Sequence, residues 1–198
     1  MDSPAAELMA LGGQHASMFP DLQTFLDYLA SVHSRTRRVA ERIPADALEW
    51  VPAPGRWSAG DQMRHLAGIE RWMYAETVAG RPSRYPGHGR ELAEGLPAVL
   101  AYYETLHGEA AALFATLTPA QWTSRTTTPA GVPITTWKWL RAMVEHEAHH
   151  RGQLYFTLGL LGVSTPPIYG LSEPELRAQS AQRVAAAAGG AHGPSPAA

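Results

Sequence analysis

His146 and His150 stand four residues apart in Glu145-His146-Glu147-Ala148-His149-His150-Arg151-Gly152-Gln153, inside a long apolar stretch that reads as helix. A helix turns once every ~3.6 residues, so positions i and i+4 lie one above the other on one face. Two imidazoles placed in that way can grip one metal ion. Met143, His146, His150, Leu154 and Leu161 trace a stripe with Trp139 above it. The stripe is otherwise apolar, so both imidazoles are expected to point into the fold. A buried imidazole needs a partner for each ring nitrogen, and metal ligation with an acceptor behind it provides both. His149 lies about 100° further round the helix and is expected to face away.

A third ligand can come from His65, between Gln62 and Ile69 on a separate amphipathic segment. Side chains of two facing helices converge across a bundle core. His65, His146 and His150 would then make a three-histidine site. Three neutral ligands leave a divalent ion its full charge and an open position, the arrangement of catalytic rather than structural zinc. Spacing alone leaves the plainer reading open, in which each histidine is a satisfied or exposed side chain. His15, His33, His88, His107 and His192 are given that reading.

The segment His146-Glu147-Ala148-His149-His150 also matches His-Glu-x-x-His, the zinc-protease helix in which Glu147 would be the general base. Its surroundings disagree. Gln153 and Phe156 stand where the extended protease motif needs Gly and His. Only Glu173 and Glu175, in a Pro-containing segment, are nearby as a downstream glutamate. Gly-x-Ser-x-Gly, Walker A and Gly-x-Gly-x-x-Gly patterns are absent from the sequence.

Four helical patterns carry these residues. The first runs from about Asp21 to Arg42, with Leu22, Phe25, Leu26, Leu29, Val32 and Val39 near helical spacing and Pro44 to stop it. Ser58 opens the second, with Asp61 three residues on as in a capping box, and Gly80 and Pro82 end it. A polar loop over 81–91 precedes the third helix, from about Leu92 or Pro97 to Leu117, after which Trp122 plugs the core. Residues 123–134 hold Thr, Pro and Gly with a little extended structure. Thr135 or Thr136 caps the fourth helix, which continues to about Leu161. A weak helix follows near Ser172–Ala187. The expectation is all-α: an antiparallel four-helix bundle with a short C-terminal helical extension. Residues 1–20 form an N-terminal segment, 21–188 the bundle domain with its extension, and 189–198 a disordered Ala/Gly/Pro/Ser tail.

Composition narrows the chemistry. The 198 residues fit one domain with a substantial core. A formal charge of −2 offers no nucleic-acid or anionic-membrane surface. The basic group Arg35, Arg37, Arg38 and Arg42 sits where cations suit the end of a helix dipole. There is no cysteine, so thiolate ligands, disulfides and a protein thiol nucleophile are excluded. Any thiol chemistry must bring its thiol on a second molecule. Lys138, the single lysine, reads as a solvated side chain rather than a Schiff-base former. Glu7 and Gly12-Gly13 interrupt any signal-peptide pattern, and no run of about 18 apolar residues exists, so the cytoplasm is the expected location.

With Gly55-Arg56-Trp57-Ser58 before the second helix, His65 inside it and His146-Glu147-x-x-His150-Arg151-Gly152-Gln153 in the last long helix, the chain resembles the DinB-like (YfiT-like) superfamily. The likeness covers roughly residues 20–162. It implies a four-helix bundle, often a homodimer, that binds a divalent ion such as zinc or nickel through three histidines, here His65, His146 and His150. Characterised members include bacillithiol- and mycothiol-dependent S-transferases and a mycothiol-dependent maleylpyruvate isomerase, in which the metal activates a low-molecular-weight thiol. On that likeness Arg151 and Gln153 serve packing or helix–helix hydrogen bonds. Trp57 is a core plug, Ser58 a helix cap and Glu147 a solvated carboxylate. The expected function is a metal-dependent S-transferase acting on a small molecule with such a thiol. The alternatives are a metal-dependent hydrolase or a non-catalytic, metal-stabilised binding protein.

Overall fold

The computed structural model of the protein describes residues 18–168 and 170–190, the last three of them by backbone alone. Residues 1–17 of the expected N-terminal segment and 191–198 of the expected tail lie outside the described residues. The elements follow the caps. Asp21 accepts from Thr24 N at 2.7 Å to start α1 (Leu22–Ala40). Ser58 and Asp61 satisfy each other's backbone N–H, both at 3.0 Å, to start α2 (Ala59–Ile69). The expected second helix is not uniform: a π-helical turn, Glu70–Tyr74, interrupts it before α3 (Ala75–Val78). Gly95, at φ 80°, turns the chain into α4 (Leu96–Ala115). A short α5 (Pro119–Thr123) buries Trp122 as expected. The extended residues pair as an antiparallel hairpin, β1 (Arg125–Thr127) and β2 (Pro133–Thr135), in register Arg125↔Thr135. Then come α6 (Thr136–Leu160) and α7 (Glu173–Gly190). The last of these extends two residues into the stretch expected as tail, and its described side chains are almost all exposed.

α1 packs against α4 and α6, and α2 against the same two helices. Two apolar clusters give the directions. One takes Phe25, Leu29 and Val32 from early α1, Tyr74 and Ala75 from the π turn and α3, Ala110 and Phe114 from late α4, and Trp137 and Leu140 from early α6. The other takes Val39 from late α1, Met63 and Leu66 from α2, Val99 and Tyr103 from early α4, and Leu154 and Leu158 from late α6. The expected four-helix bundle is therefore wound up-down-down-up. Its antiparallel neighbours are α1–α4 and α2–α6, and its parallel neighbours are α1–α6 and α2–α4. A parallel pair needs a return path along the bundle, and residues 79–95 provide it.

Between the two apolar clusters each helix contributes polar residues. They are His33 and Thr36 on α1, Glu70 on the π turn, His107 on α4, and Glu147, His150 and Arg151 on α6. The apolar ends supply the stability, at about 1.5–3 kcal/mol for each fully buried Leu or Phe. The polar layer between them must satisfy itself, because buried polar groups without partners are costly.

Candidate metal centre

His65 lies one turn above the π segment, and α6 faces it across the bundle. One ring nitrogen from each of His65, His146 and His150 lies within 4.8 Å of the other two. His65 Nε2 and His146 Nε2 are 3.1 Å apart. Nitrogens bound to one tetrahedral zinc at about 2.0–2.1 Å sit about 3.3 Å from one another, so this spacing suits a shared ion. The rings tilt towards a common point. Their centroids are 5.0, 4.9 and 4.6 Å apart, with interplanar angles of 62°, 60° and 74°. His150 Nδ1 is buried without a hydrogen-bond partner among the described residues. The donor set therefore fits a divalent ion.

The electrostatics agree. Burial, followed by the neighbouring His150, His146 and His88, pushes His65 from its usual 6.5 down to about 3. Burial, then His146 and His149, takes His150 to about 4. Burial and His149 also lower His146. All three rings are neutral at pH 7, which is the form that ligates. Tyr85 Oη lies 3.0 Å from His65 Nδ1 and 2.8 Å from His88 Nδ1. A consistent assignment has His65 Nδ1–H donating to Tyr85, whose hydroxyl donates to His88. That leaves His65 Nε2 unprotonated and aimed at the cluster.

Tyr85 and His88 arrive on the return path of residues 79–95, and a buried arginine fastens it. Arg64 is fully buried. It donates through Nε to His88 O at 2.7 Å, and through Nη1 to Ala93 O at 3.1 Å and Glu49 Oε1 at 2.8 Å. Its Nη2 donates to Glu49 Oε2 at 2.9 Å and Asp61 Oδ1 at 3.0 Å. The Arg64 hydrogen bond holds the Glu49 carboxyl below its usual range despite partial burial.

A cavity of about 650 Å³ opens beside His150, with Trp57, Gln62, Gln153, Phe156 and Leu160 among its walls. Trp57 is half-buried and stacks on His150 at 5.7 Å with planes 6° apart, and meets His65 edge-on at 4.7 Å. It is a wall of the site, not the core plug expected. His149 faces solvent, as anticipated, and pairs with Gln153 at 2.8 Å. Arg151 is buried and bonds Thr36 Oγ1 at 3.2 Å, an α1–α6 tie of the kind expected.

A second group was not foreseen. His33, Glu70 and His107 also bring ligand-type atoms within 4.8 Å of one another. Here His33 stacks on His107 at 3.5 Å with planes 11° apart, and on Tyr103 at 4.3 Å. His107 Nδ1 meets Glu70 at 2.9 Å and His33 Nε2 meets Glu104 at 3.2 Å. Glu147 is 5% exposed and accepts from Tyr103 Oη at 2.8 Å, so it is a buried carboxyl and not the solvated one expected. Burial and then the Glu70 charge push Glu147 upward, against the hydrogen bonds from Thr36 and Tyr103. Burial opposes the charge on His107, but the Glu70 hydrogen bond and charge outweigh it and raise His107. A cavity of about 10 Å³, lined by His146, Glu147, Glu70 and Met143, joins the two groups and has room for about one water.

Residues 21–154 match the sequence family described as the DinB superfamily. A DinB-like protein from Bacillus cereus superposes with a TM-score of 0.63 at 18% identity, over 74% of this chain and 97% of its own. YfiT from Bacillus subtilis is described as a probable metal-dependent hydrolase with an unusual four-helix bundle topology. It superposes at 0.59 with 21% identity, over 72% of this chain and 89% of its own. A mycothiol-dependent maleylpyruvate isomerase superposes at 0.55 with 14% identity, over 68% of this chain and 60% of that one. No protein of curated function matches this sequence.

Proposed function

This chain belongs to the DinB superfamily, and on that premise we propose that it is a metal-dependent enzyme acting on a small molecule, using a low-molecular-weight thiol in an S-transfer reaction. The observation that carries the reading is the convergence of three neutral imidazoles beside a cavity of about 650 Å³. His65, His146 and His150 would hold a divalent ion, zinc or nickel. When bound, that ion supplies Lewis acidity, favouring the deprotonated form of a thiol or water at its remaining position. Tyr85 orients His65. Trp57, Phe156 and Leu160 give the cavity an apolar wall that limits water around the reacting groups. The chain has no cysteine, so the sulfur nucleophile arrives on the co-substrate.

None of the residues lining the large cavity is a carboxylate, which suits a thiolate nucleophile because it needs no general base once deprotonated. A hydrolase is the second reading. It is favoured by the small cavity that sets Glu147 and Glu70 beside His146, where a carboxyl could handle the proton of a water. Homodimerisation, implied by the family, is part of the proposal and is read by light scattering.

Elemental analysis of the purified protein should find about one metal per chain, strongly reduced in His146→Ala and His150→Ala and kept in His149→Ala. Equal retention in all three variants defeats the site. In the cobalt-substituted protein, thiol titration should perturb the visible spectrum. A spectrum unmoved by every low-molecular-weight thiol tested removes the transferase and leaves the hydrolase.

A further inference from the structure

The second half of α6 keeps one face turned away from the core, and the large cavity opens on it. His149, Gly152, Phe156 and Leu160 stand there, exposed, at steps of three, four and four residues. Steps of that kind hold side chains in one stripe. Phe156 is 67% and Leu160 54% exposed, although both line the cavity. A Cβ added at Gly152 would meet no neighbouring atom within 4 Å, so the stripe has a hollow one turn from the Phe156 ring. No Asp, Glu, Lys or Arg stands in it.

α7 carries the complement. Its helical form comes from local devices: Ser172 N and Oγ donate to Glu175 Oε2 at 2.7 and 2.6 Å, and a run of alanines fills 185–188. Leu176, Ser180, Val184 and Ala187 are all exposed and stand at steps of four, four and three residues, the α6 spacing in reverse order. Laid antiparallel, the two stripes coincide turn for turn over about 16 Å. That register sets Ser180 against Phe156 and Val184 against Gly152, bulk against space both times. Helix surfaces interlock in this way.

The connection between the helices decides which α7 arrives. Val163 N donates to Leu158 O at 2.9 Å, Arg42 Nε to Ser164 O at 3.2 Å and Tyr155 Oη to Pro166 O. The chain is therefore held against the α1–α6 side as far as Pro166. Six further residues reach Ser172, about 20 Å when extended. A helix is about 10–12 Å across, so that length brings α7 of the same chain round to Phe156. Its tether keeps it there at a millimolar effective concentration.

We propose that α7 docks antiparallel on the outward stripe of α6 in its own chain and is the lid of the large cavity, the undocked α7 of the present structure being the open form. Docking buries Phe156 and Leu160 and lays α7 along the open side of the cavity. As a lid, α7 rests on the reading of that cavity as the substrate pocket; the docking itself does not.

The chain has no cysteine, so introduced pairs report alone. Full-length Gly152→Cys/Val184→Cys, equilibrated in glutathione redox buffer, should close its disulfide with an effective concentration about tenfold above that of Gly152→Cys/Gln182→Cys, whose second cysteine lies on the far side of α7. Both pairs share Gly152→Cys, so any cost of that change falls on both. Equal values, or a product that runs as a crosslinked dimer, overturn docking within the chain. The lid is tested on the facing pair. Oxidised protein should bind the apolar dye 8-anilinonaphthalene-1-sulfonate about tenfold more weakly than reduced protein, as for a cavity open about a tenth of the time. Equal dye binding overturns the lid. Zinc content, measured on the same samples, reports separately on the metal centre. Zinc-loaded protein with equal dye binding sinks the lid alone, and protein that takes up no zinc but sheds dye when locked sinks the metal reading alone.

Discussion

His65–His146–His150 and His33–Glu70–His107 each gather three possible ligand atoms within 4.8 Å, and ring orientation separates them. In the first group the planes are inclined by 60–74°, and in-plane lone pairs can meet at a point. In the second, His33 and His107 lie face to face, 11° from parallel, so their lone pairs lie in separate, nearly parallel planes. Each of these two rings instead meets a carboxylate, Glu104 or Glu70. Proximity of the right residue types is thus compatible with two kinds of chemistry, ligation and hydrogen bonding to carboxylates. The plane of the imidazole decides between them.

The largest expected contrast is in metal affinity. His65→Ala should weaken zinc binding more than about 100-fold, read by competition with a chromophoric chelator, whereas His33→Gln and His107→Gln should leave it unchanged. A matching loss in His107→Gln would erase the distinction. Stability should divide the other way. Glu70→Ala leaves a buried His107 ring nitrogen without its partner and should cost about 1–3 kcal/mol in urea unfolding, with zinc stoichiometry preserved.

Acid titration separates His65 and His150 from His107 by sign. His65 and His150 have folded values of about 3 and 4, below the usual 6.5, so the unfolded chain takes up their protons first. Their contribution is whole above pH 6.5 and is lost as pH falls towards 4 and 3. His33, held at about 3 by burial and then by His107 and Arg37, adds to this loss. His107 is raised above 6.5, so its pairing with Glu70 contributes fully below that pH and is lost as pH rises through the raised value. Melts of metal-free protein should therefore show an acid decline that His65→Gln flattens. The gap between wild type and His107→Gln should be widest below pH 6.5 and close in alkali. Gaps of the same sign in both variants would contradict the assignment. The smallest effect belongs to Tyr85→Phe, expected to lower zinc affinity about tenfold while unfolding shifts by less than about 0.5 kcal/mol.

Much of the bundle was legible because its signals are local. Asp21, Ser58 and Asp61 mark helix starts by side chains that reach only three residues. The i, i+4 histidine spacing survives whatever the helix packs against. What was misread depends on neighbours. The inward face of α6 centres on Met143, Glu147, His150, Arg151 and Leu154, with His146 on its flank. A charged Glu147 reads as outward until Tyr103 is known to face it from another helix. Tyr85 stands in a loop of no periodicity and touches His65 only through the return path that Arg64 fastens. The π turn at Glu70–Tyr74 leaves no residue signature that marks it, yet it places Glu70 against His107. Trp57 beside a cap residue looks like packing, and only the tertiary fold makes it a cavity wall.

The return path of residues 79–95 divides the chain into two pieces of different content: His65 lies before it, and both His146 and His150 lie after it. A break in that exposed stretch would leave neither fragment with a complete set of donors, while each would keep two of the four long bundle segments. Reassembly of the halves could then be followed by the return of zinc affinity, so the molecule has the layout of a split reporter whose signal is a metal ion.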